Sequence, residues 1–209
     1  MRRLVPGLLA IASIGLLISF ALIVKRPGHG EPPTTFMQTY IALKAGPPVS
    51  VPRLVTASGS TLAPGGMQGH WSVIFFGFTA CPLVCPKTLG VMTAMARDPE
   101  SGVLSGTTQP VFVSVDVEHD TPESIRSYLA HFDRHIMGLT GSRIAIDRFS
   151  RDIGAGSQSV ESGIDHSTSL FVLDPKGRVA GILLRPSDPL RIVADLKKLR
   201  FLYDDARGR

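Results

Sequence analysis

The first block of apolar positions, Leu4 to Val24, runs for 21 residues without a charge. At about 1.5 Å per residue it spans a hydrocarbon layer of about 30 Å, and Pro6 lies early enough to be tolerated in a helix. Arg2 and Arg3 precede the run, and Lys25 and Arg26 follow it. A cleaved signal peptide is the alternative reading, but the run outlasts the usual leader and ends without a small-x-small cleavage pattern. One retained transmembrane helix is therefore expected, with residues 1–26 as the anchor. Both flanks are basic, and the extra charge of the start amine tilts the N-terminus toward the cytoplasm.

After Pro27 the pattern breaks into short alternating segments. Residues 27–49 read as linker and N-terminal extension, with Pro27 to Thr35 aperiodic and Ala45 to Val49 proline-rich. A strand is expected around Arg53 to Ala57, turned by Gly59 and Ser60. Trp71 to Gly77 is continuously apolar, as in a central strand covered on both faces. Leu89, Met92 and Met95 give the segment Pro86 to about Arg97 a helical period, which makes both methionines core residues and not metal ligands. A second strand is expected at Pro110 to Val117. Thr121-Pro122-Glu123 then opens a helix in the favoured order of cap, proline and acid, its apolar face carried by Ile125, Tyr128, Leu129, Phe132 and Ile136. Ile144 to Phe149 reads as a short strand or helix, followed by a Gly/Ser-rich loop from Gly154 to Ser159. Ser169 to Asp174 and Val179 to Leu184 form a hairpin about Pro175-Lys176-Gly177. The last helix is expected over Pro189 to Tyr203 with Leu190, Val193, Leu196 and Leu199 inward. This order is that of an α/β domain of thioredoxin-like architecture, a mixed sheet flanked by helices, over residues 50–203 with a tail at 204–209.

Composition removes several alternatives. The chain is 44% hydrophobic and 19% charged, too apolar for global disorder. Its net charge of +5 is carried almost wholly by the four basic residues around the anchor, because residue 27 onward holds 18 Lys or Arg against 17 Asp or Glu. A balanced domain without a basic stripe is not built for nucleic acid.

The two cysteines, Cys81 and Cys85, stand between the central strand and the next helix. A position beside Pro86 in the first turn is expected to lower the Cys85 pKa through the helix field. Four residues apart, the sulfurs are near enough for a disulfide or for one shared metal ion. Three intervening residues, not the two of thioredoxin-like redox sites, favour a soft-metal site without excluding exchange. A thiolate pair joined by an imidazole suits copper, Cu(I) above all, while a structural zinc site lacks an evident fourth ligand.

The segment Gly77-Phe78-Thr79-Ala80-Cys81-Pro82-Leu83-Val84-Cys85-Pro86 resembles the signature of the SCO/SenC family of membrane-anchored copper chaperones. Further matches are Val113-Ser114-Val115-Asp116, Asp120-Thr121-Pro122-Glu123, Gly138-Leu139-Thr140-Gly141, Asp165-His166-Ser167 and Leu173-Asp174-Pro175-Lys176-Gly177, so the likeness covers about residues 50 to 200. The resemblance implies a thioredoxin-like domain that holds one copper, Cu(I) or Cu(II), through Cys81, Cys85 and His166. Asp165 and Asp116 are the candidates for tuning that site from behind. It further implies a single-pass protein of the bacterial inner membrane with its domain in the periplasm. There it would assist assembly of the copper-A centre of cytochrome c oxidase, with the copper-bearing oxidase subunit as partner and another periplasmic chaperone or a thiol reductant as a further one. Leu83 stands where the family commonly has Asp, Val117 where proline is usual, and His119 where Arg is frequent.

Two rival functions use the same residues: a thiol-disulfide oxidoreductase acting on the oxidase cysteines through Cys81 and Cys85, and a redox or copper sensor. His166 separates the first from a chaperone, since disulfide exchange does not need it. His119, His131 and His135 are read as helix-face or loop residues, while His29 in the linker and His70 before the central strand could each touch copper incidentally.

Overall fold

A computed structural model of the chain describes residues 40–42, 47–63, 65–155 and 169–207. The expected anchor Leu4–Val24, the linker with His29, the Gly/Ser-rich loop beyond Ala155, and Asp165 and His166 lie outside these residues. Among the described residues no helix is long and apolar enough to cross a membrane.

The described elements are β1 (Tyr40–Ala42), β2 (Leu54–Thr56), β3 (Trp71–Gly77), α1 (Val84–Arg97), β4 (Thr108–Ser114), α2 (Pro122–Leu129), β5 (Met137–Gly141), α3 (Arg143–Ile153), β6 (Leu170–Leu173), β7 (Val179–Leu183) and α4 (Pro189–Arg207). They build one seven-stranded sheet of order β1-β7-β6-β3-β4-β5-β2. β3, β4 and β5 run parallel, while β6, β7, β1 and β2 pair antiparallel with their neighbours. This is the mixed, thioredoxin-like α/β arrangement expected from the element order.

Both faces of the sheet are apolar and each has its own cover. Phe75 and Phe112 point into a cluster shared with α1, α2 and α4, whereas Ile74, Val111 and Val113 face α3 through Ile146 and Phe149. Phe75, Phe112 and Phe149 are fully buried, each worth roughly 1.5–3 kcal/mol of apolar burial. Met92 and Met95 are core residues, as their spacing predicts. The β6–β7 hairpin turns at Gly177, whose φ of +74° a side chain would strain. Buried Asp174 accepts the turn's N–H groups from Lys176 (2.8 Å) and Arg178 (3.0 Å).

Several expected boundaries move. β4 ends at Ser114, not Val117, because the chain turns there: the N–H groups of His119 and Asp120 both donate to the Asp116 carbonyl. α2 stops at Leu129, and Ile136 reaches the core from a loop whose bend Asp133 holds by accepting the His135 N–H at 2.9 Å. Ile144 to Phe149 is helix, part of the longer α3. α4 continues to Arg207, into the expected tail. Leu190 points outward at 69% exposure, and Ile192 takes the inward position expected of it. β1 and β5 were not anticipated as strands.

Candidate metal centre

The parallel strands β3 and β4 end side by side at Gly77 and Ser114. Loops leaving the carboxyl ends of parallel strands form the usual crevice of open α/β sheets. Here the β3 loop carries Cys81 and leads into α1, and the β4 loop carries Asp116, His119 and Asp120. The Val115 N–H donates to the Gly77 carbonyl at 2.9 Å, so the two loops leave the sheet still joined.

Cys81 and Cys85 are brought together, both buried, at 5% and 1% exposure. α1 begins at Val84, two residues before the expected Pro86, which places Cys85 inside its first turn. The cap position is Leu83, whose side chain offers no acceptor, and the first turn has no acid. The orphan donors of that turn find sulfur instead. The Cys85 N–H donates to Cys81 Sγ at 3.4 Å, and the N–H groups of Leu83 and Val84 also act on it.

This arrangement reverses the expectation of a lowered Cys85 pKa, and it is Cys81 that is lowered. Burial by itself would raise the Cys81 thiol, but the converging N–H groups and the Cys85 thiol hold it below its ordinary value. Cys85 is pushed up to about 12, first by burial, then by the neighbouring Cys81 sulfur and Asp120, against one N–H from Phe78. The physical reason is direction. A side chain in the first turn points back toward the sheet, so Cys85 lies beneath the helix end, and the helix field acts on Cys81 in front of it. Cys85 Sγ packs so closely on Gly77 that a Cβ there would lie 2.8 Å from it and 3.0 Å from Phe112 and Phe75.

Asp120 braces this loop although its sequence marks it only as a residue before a helix cap. Buried to 4% exposure, its carboxylate accepts the Thr79 N–H at 2.9 Å, the Thr79 hydroxyl and the Ser114 hydroxyl. Asp116 turns outward instead. Its carboxylate accepts from His119 Nδ1 at 2.8 Å, and that hydrogen bond holds the carboxyl below its ordinary value and raises His119. His131 and His135 are engaged locally, with the Tyr128 carbonyl and the Asp133 carboxylate. Among the described residues no three His, Cys, Asp or Glu side chains converge as a metal set. The described donors are thus two soft sulfurs, a pair that fits a thiophilic ion such as Cu(I) better than a hard one.

The chain is similar to proteins of known class. The SCO1/SenC family profile matches residues 50–200. The mitochondrial SCO1 homolog of Homo sapiens is 32% identical over 130 residues, 59% of this chain and 43% of its own length. Protein sco1 of Schizosaccharomyces pombe is 31% identical over 142 residues, 64% of this chain and 54% of its own. The match thus spans about half the length of these curated relatives. The solved structure of Arabidopsis thaliana ScoI with copper bound aligns with a TM-score of 0.62 and 27% identity, over 76% of this chain and 99% of that one. With the signature cysteines at the start of α1 and the profile running from before β2 into α4, the chain belongs to the SCO1/SenC family.

Proposed function

We propose that this chain binds one copper ion through Cys81, Cys85 and His166 and hands it on in assembling the copper-A centre of cytochrome c oxidase. The observation that carries the reading is the buried sulfur pair at an uncapped helix start. Converging N–H groups stabilise negative sulfur there, and among the described residues the donors at that start are the two sulfurs. Copper is cargo in this reading. Its uptake displaces the protons of both thiols, so binding tightens with rising pH. His166 supplies the imidazole that completes a soft donor set and extends it to Cu(II). Residues 1–26 anchor the protein in a bacterial inner membrane, with the N-terminus inside and residues 50–203 as the copper domain in the periplasm.

The asymmetry of the sulfurs favours a second reading, a thiol-disulfide reductase. In it the Cys81 thiolate attacks a target disulfide, and Cys85 resolves the mixed disulfide so that two electrons pass to the target. The high pKa of Cys85 makes that second step slow near neutrality, and for this reason we place copper transfer first.

The test uses the reduced protein and three variants. Wild type takes up one equivalent of copper, and Cys81→Ser or Cys85→Ser abolishes tight binding. His166→Ala weakens Cu(II) binding and lowers the copper content of the maturing oxidase while sparing reduction of a model disulfide. Normal oxidase copper with His166→Ala overturns the chaperone reading in favour of the reductase.

A further inference from the structure

At the edge of the sheet opposite the cysteines, β4 and β5 begin beside a cavity of about 380 Å³ whose lining includes Gln109, Arg134, His135 and Met137. A turn closed by the Ile136 N–H on the Asp133 carbonyl at 3.0 Å brings His135 and Met137 to it, while Ile136 between them enters the core. Asp133 fixes the imidazole. One of its carboxylate oxygens accepts both the His135 N–H at 2.9 Å and Nδ1 at 2.7 Å, and Arg97 lies 3.8 Å from the other. An ionised carboxylate only accepts, so the ring proton sits on Nδ1 and Nε2 keeps its lone pair. Metal-ligating histidines carry this same carboxylate backing. Holding the bend needs only the backbone N–H; the second bond orients a ring that shares its cavity with a thioether. Met67, Met92 and Met95 are fully buried, whereas Met137, at the first position of β5, is half-buried.

We propose that His135 Nε2 and Met137 Sδ form a second metal site, for Cu(I), separate from the cysteine pair. A thioether selects Cu(I), and an imidazole accepts it. Arg134, exposed on the rim, repels a divalent ion more strongly than a monovalent one. With two neutral donors the site is weaker than a thiolate pair, so it fills second. The seven residues of β4 separate the two ends of the strand by about 20 Å at about 3.3 Å each. One ion cannot be shared over that distance, and the two sites load independently.

The test is an anaerobic Cu(I) titration of the reduced full-length chain, followed by NMR of methionine methyl groups labelled with carbon-13. Met137→Leu keeps the packing volume and identifies the Met137 signal by its loss. In the wild type that signal should hold still through the first equivalent and move as the second is added. His135→Gln should abolish the movement at concentrations that saturate the wild type. Asp133→Asn, which can still accept the backbone N–H, should weaken the second equivalent about tenfold. Zn(II) should leave the methyl in place. A Met137 methyl unmoved by excess Cu(I) overturns the site, and this needs no variant to fold. Movement undiminished in His135→Gln overturns the pairing of the two donors, and an equal response to Zn(II) overturns the assignment to Cu(I). Movement with the first equivalent supports this site while overturning the cysteine reading, so the two fail separately.

Discussion

Two helices start at the same edge of the sheet, just past the ends of neighbouring parallel strands, and they start in opposite ways. At α2 the Thr121 hydroxyl accepts the Ser124 N–H at 3.1 Å, Pro122 removes a donor, and Glu123 answers the helix field. At α1 Leu83 caps nothing, and the sulfur of Cys81 receives the first-turn N–H groups. The first start is closed by its own side chains, so it supports only the helix. The second is left for a sulfur, and backbone donors aimed at a group that becomes anionic are what a metal-thiolate or nucleophilic site requires. Asp120 ties the two together, since it precedes the Thr121 cap and accepts from Thr79 in the loop that leads to Cys81.

Removing that tie should have the largest effect. Asp120→Ala leaves the Thr79 N–H and two hydroxyls without their buried acceptor, and we expect a loss of about 3 kcal/mol, read as a lower urea midpoint. High pH breaks the comparison without mutation. The native chain keeps the Cys85 proton up to about 12, while the unfolded chain releases it near 9.0. Between these values the unfolded state binds fewer protons, so the stability of the reduced protein falls as pH rises. Cys85→Ala, titrated by urea denaturation over the same range, should flatten that slope.

Gly77→Ala acts on the buried sulfur directly. Its Cβ would meet Cys85 Sγ at 2.8 Å and two phenyl rings at 3.0 Å. Overpacking of this kind costs about 1–3 kcal/mol, against the 0.4–1 kcal/mol, roughly, that replacing a glycine returns through the unfolded chain. A net loss of about 1.5 kcal/mol is expected, and the displaced sulfur should weaken copper binding by more than tenfold. Unaltered copper affinity in a destabilised variant would separate the packing role of Gly77 from the site.

Local chemistry made part of this legible from sequence. Thr121-Pro122-Glu123 announces α2 because cap, proline and acid act within one turn, and the apolar run Trp71–Gly77 announces a strand buried on both faces. The signature pair Cys81 and Cys85 was legible as a site. Which sulfur takes the helix field was not, because that depends on the direction of a first-turn side chain and on a helix that begins at Val84. β5 escaped notice because Met137–Gly141 is short and two of its five residues are glycines, which leaves little apolar pattern to read. Gly138 is there for packing: a Cβ would lie 2.6 Å from Ile125, 2.8 Å from Leu129 and 2.9 Å from Ala57. Asp120 escaped notice as a site residue because its partner Thr79 lies 41 positions away. No local pattern reports such a contact.

The smallest effects come from exchanging features between the two helix starts. Thr121→Ala opens the closed start and should cost about 1 kcal/mol in urea denaturation while leaving thiol reactivity alone, since the cap serves only α2. Leu83→Asp places a carboxylate at the open start, on a side chain that is 72% exposed. There it competes with Cys81 sulfur for the field of the same N–H groups, and its negative charge disfavours a second one nearby. In the wild type, iodoacetamide should modify Cys81 first, with a half-point below the 9.0 of an ordinary thiol, and Cys85 only at much higher pH. With Leu83→Asp the Cys81 half-point should move upward and its rate near neutrality should fall about threefold. The change is modest because a charge this exposed is screened, and about 1 M salt should erase most of it. A threefold difference that persists in salt would mean that the carboxylate has captured the N–H groups outright, and a rate unchanged even at low salt would mean that the start of α1 is not what activates Cys81.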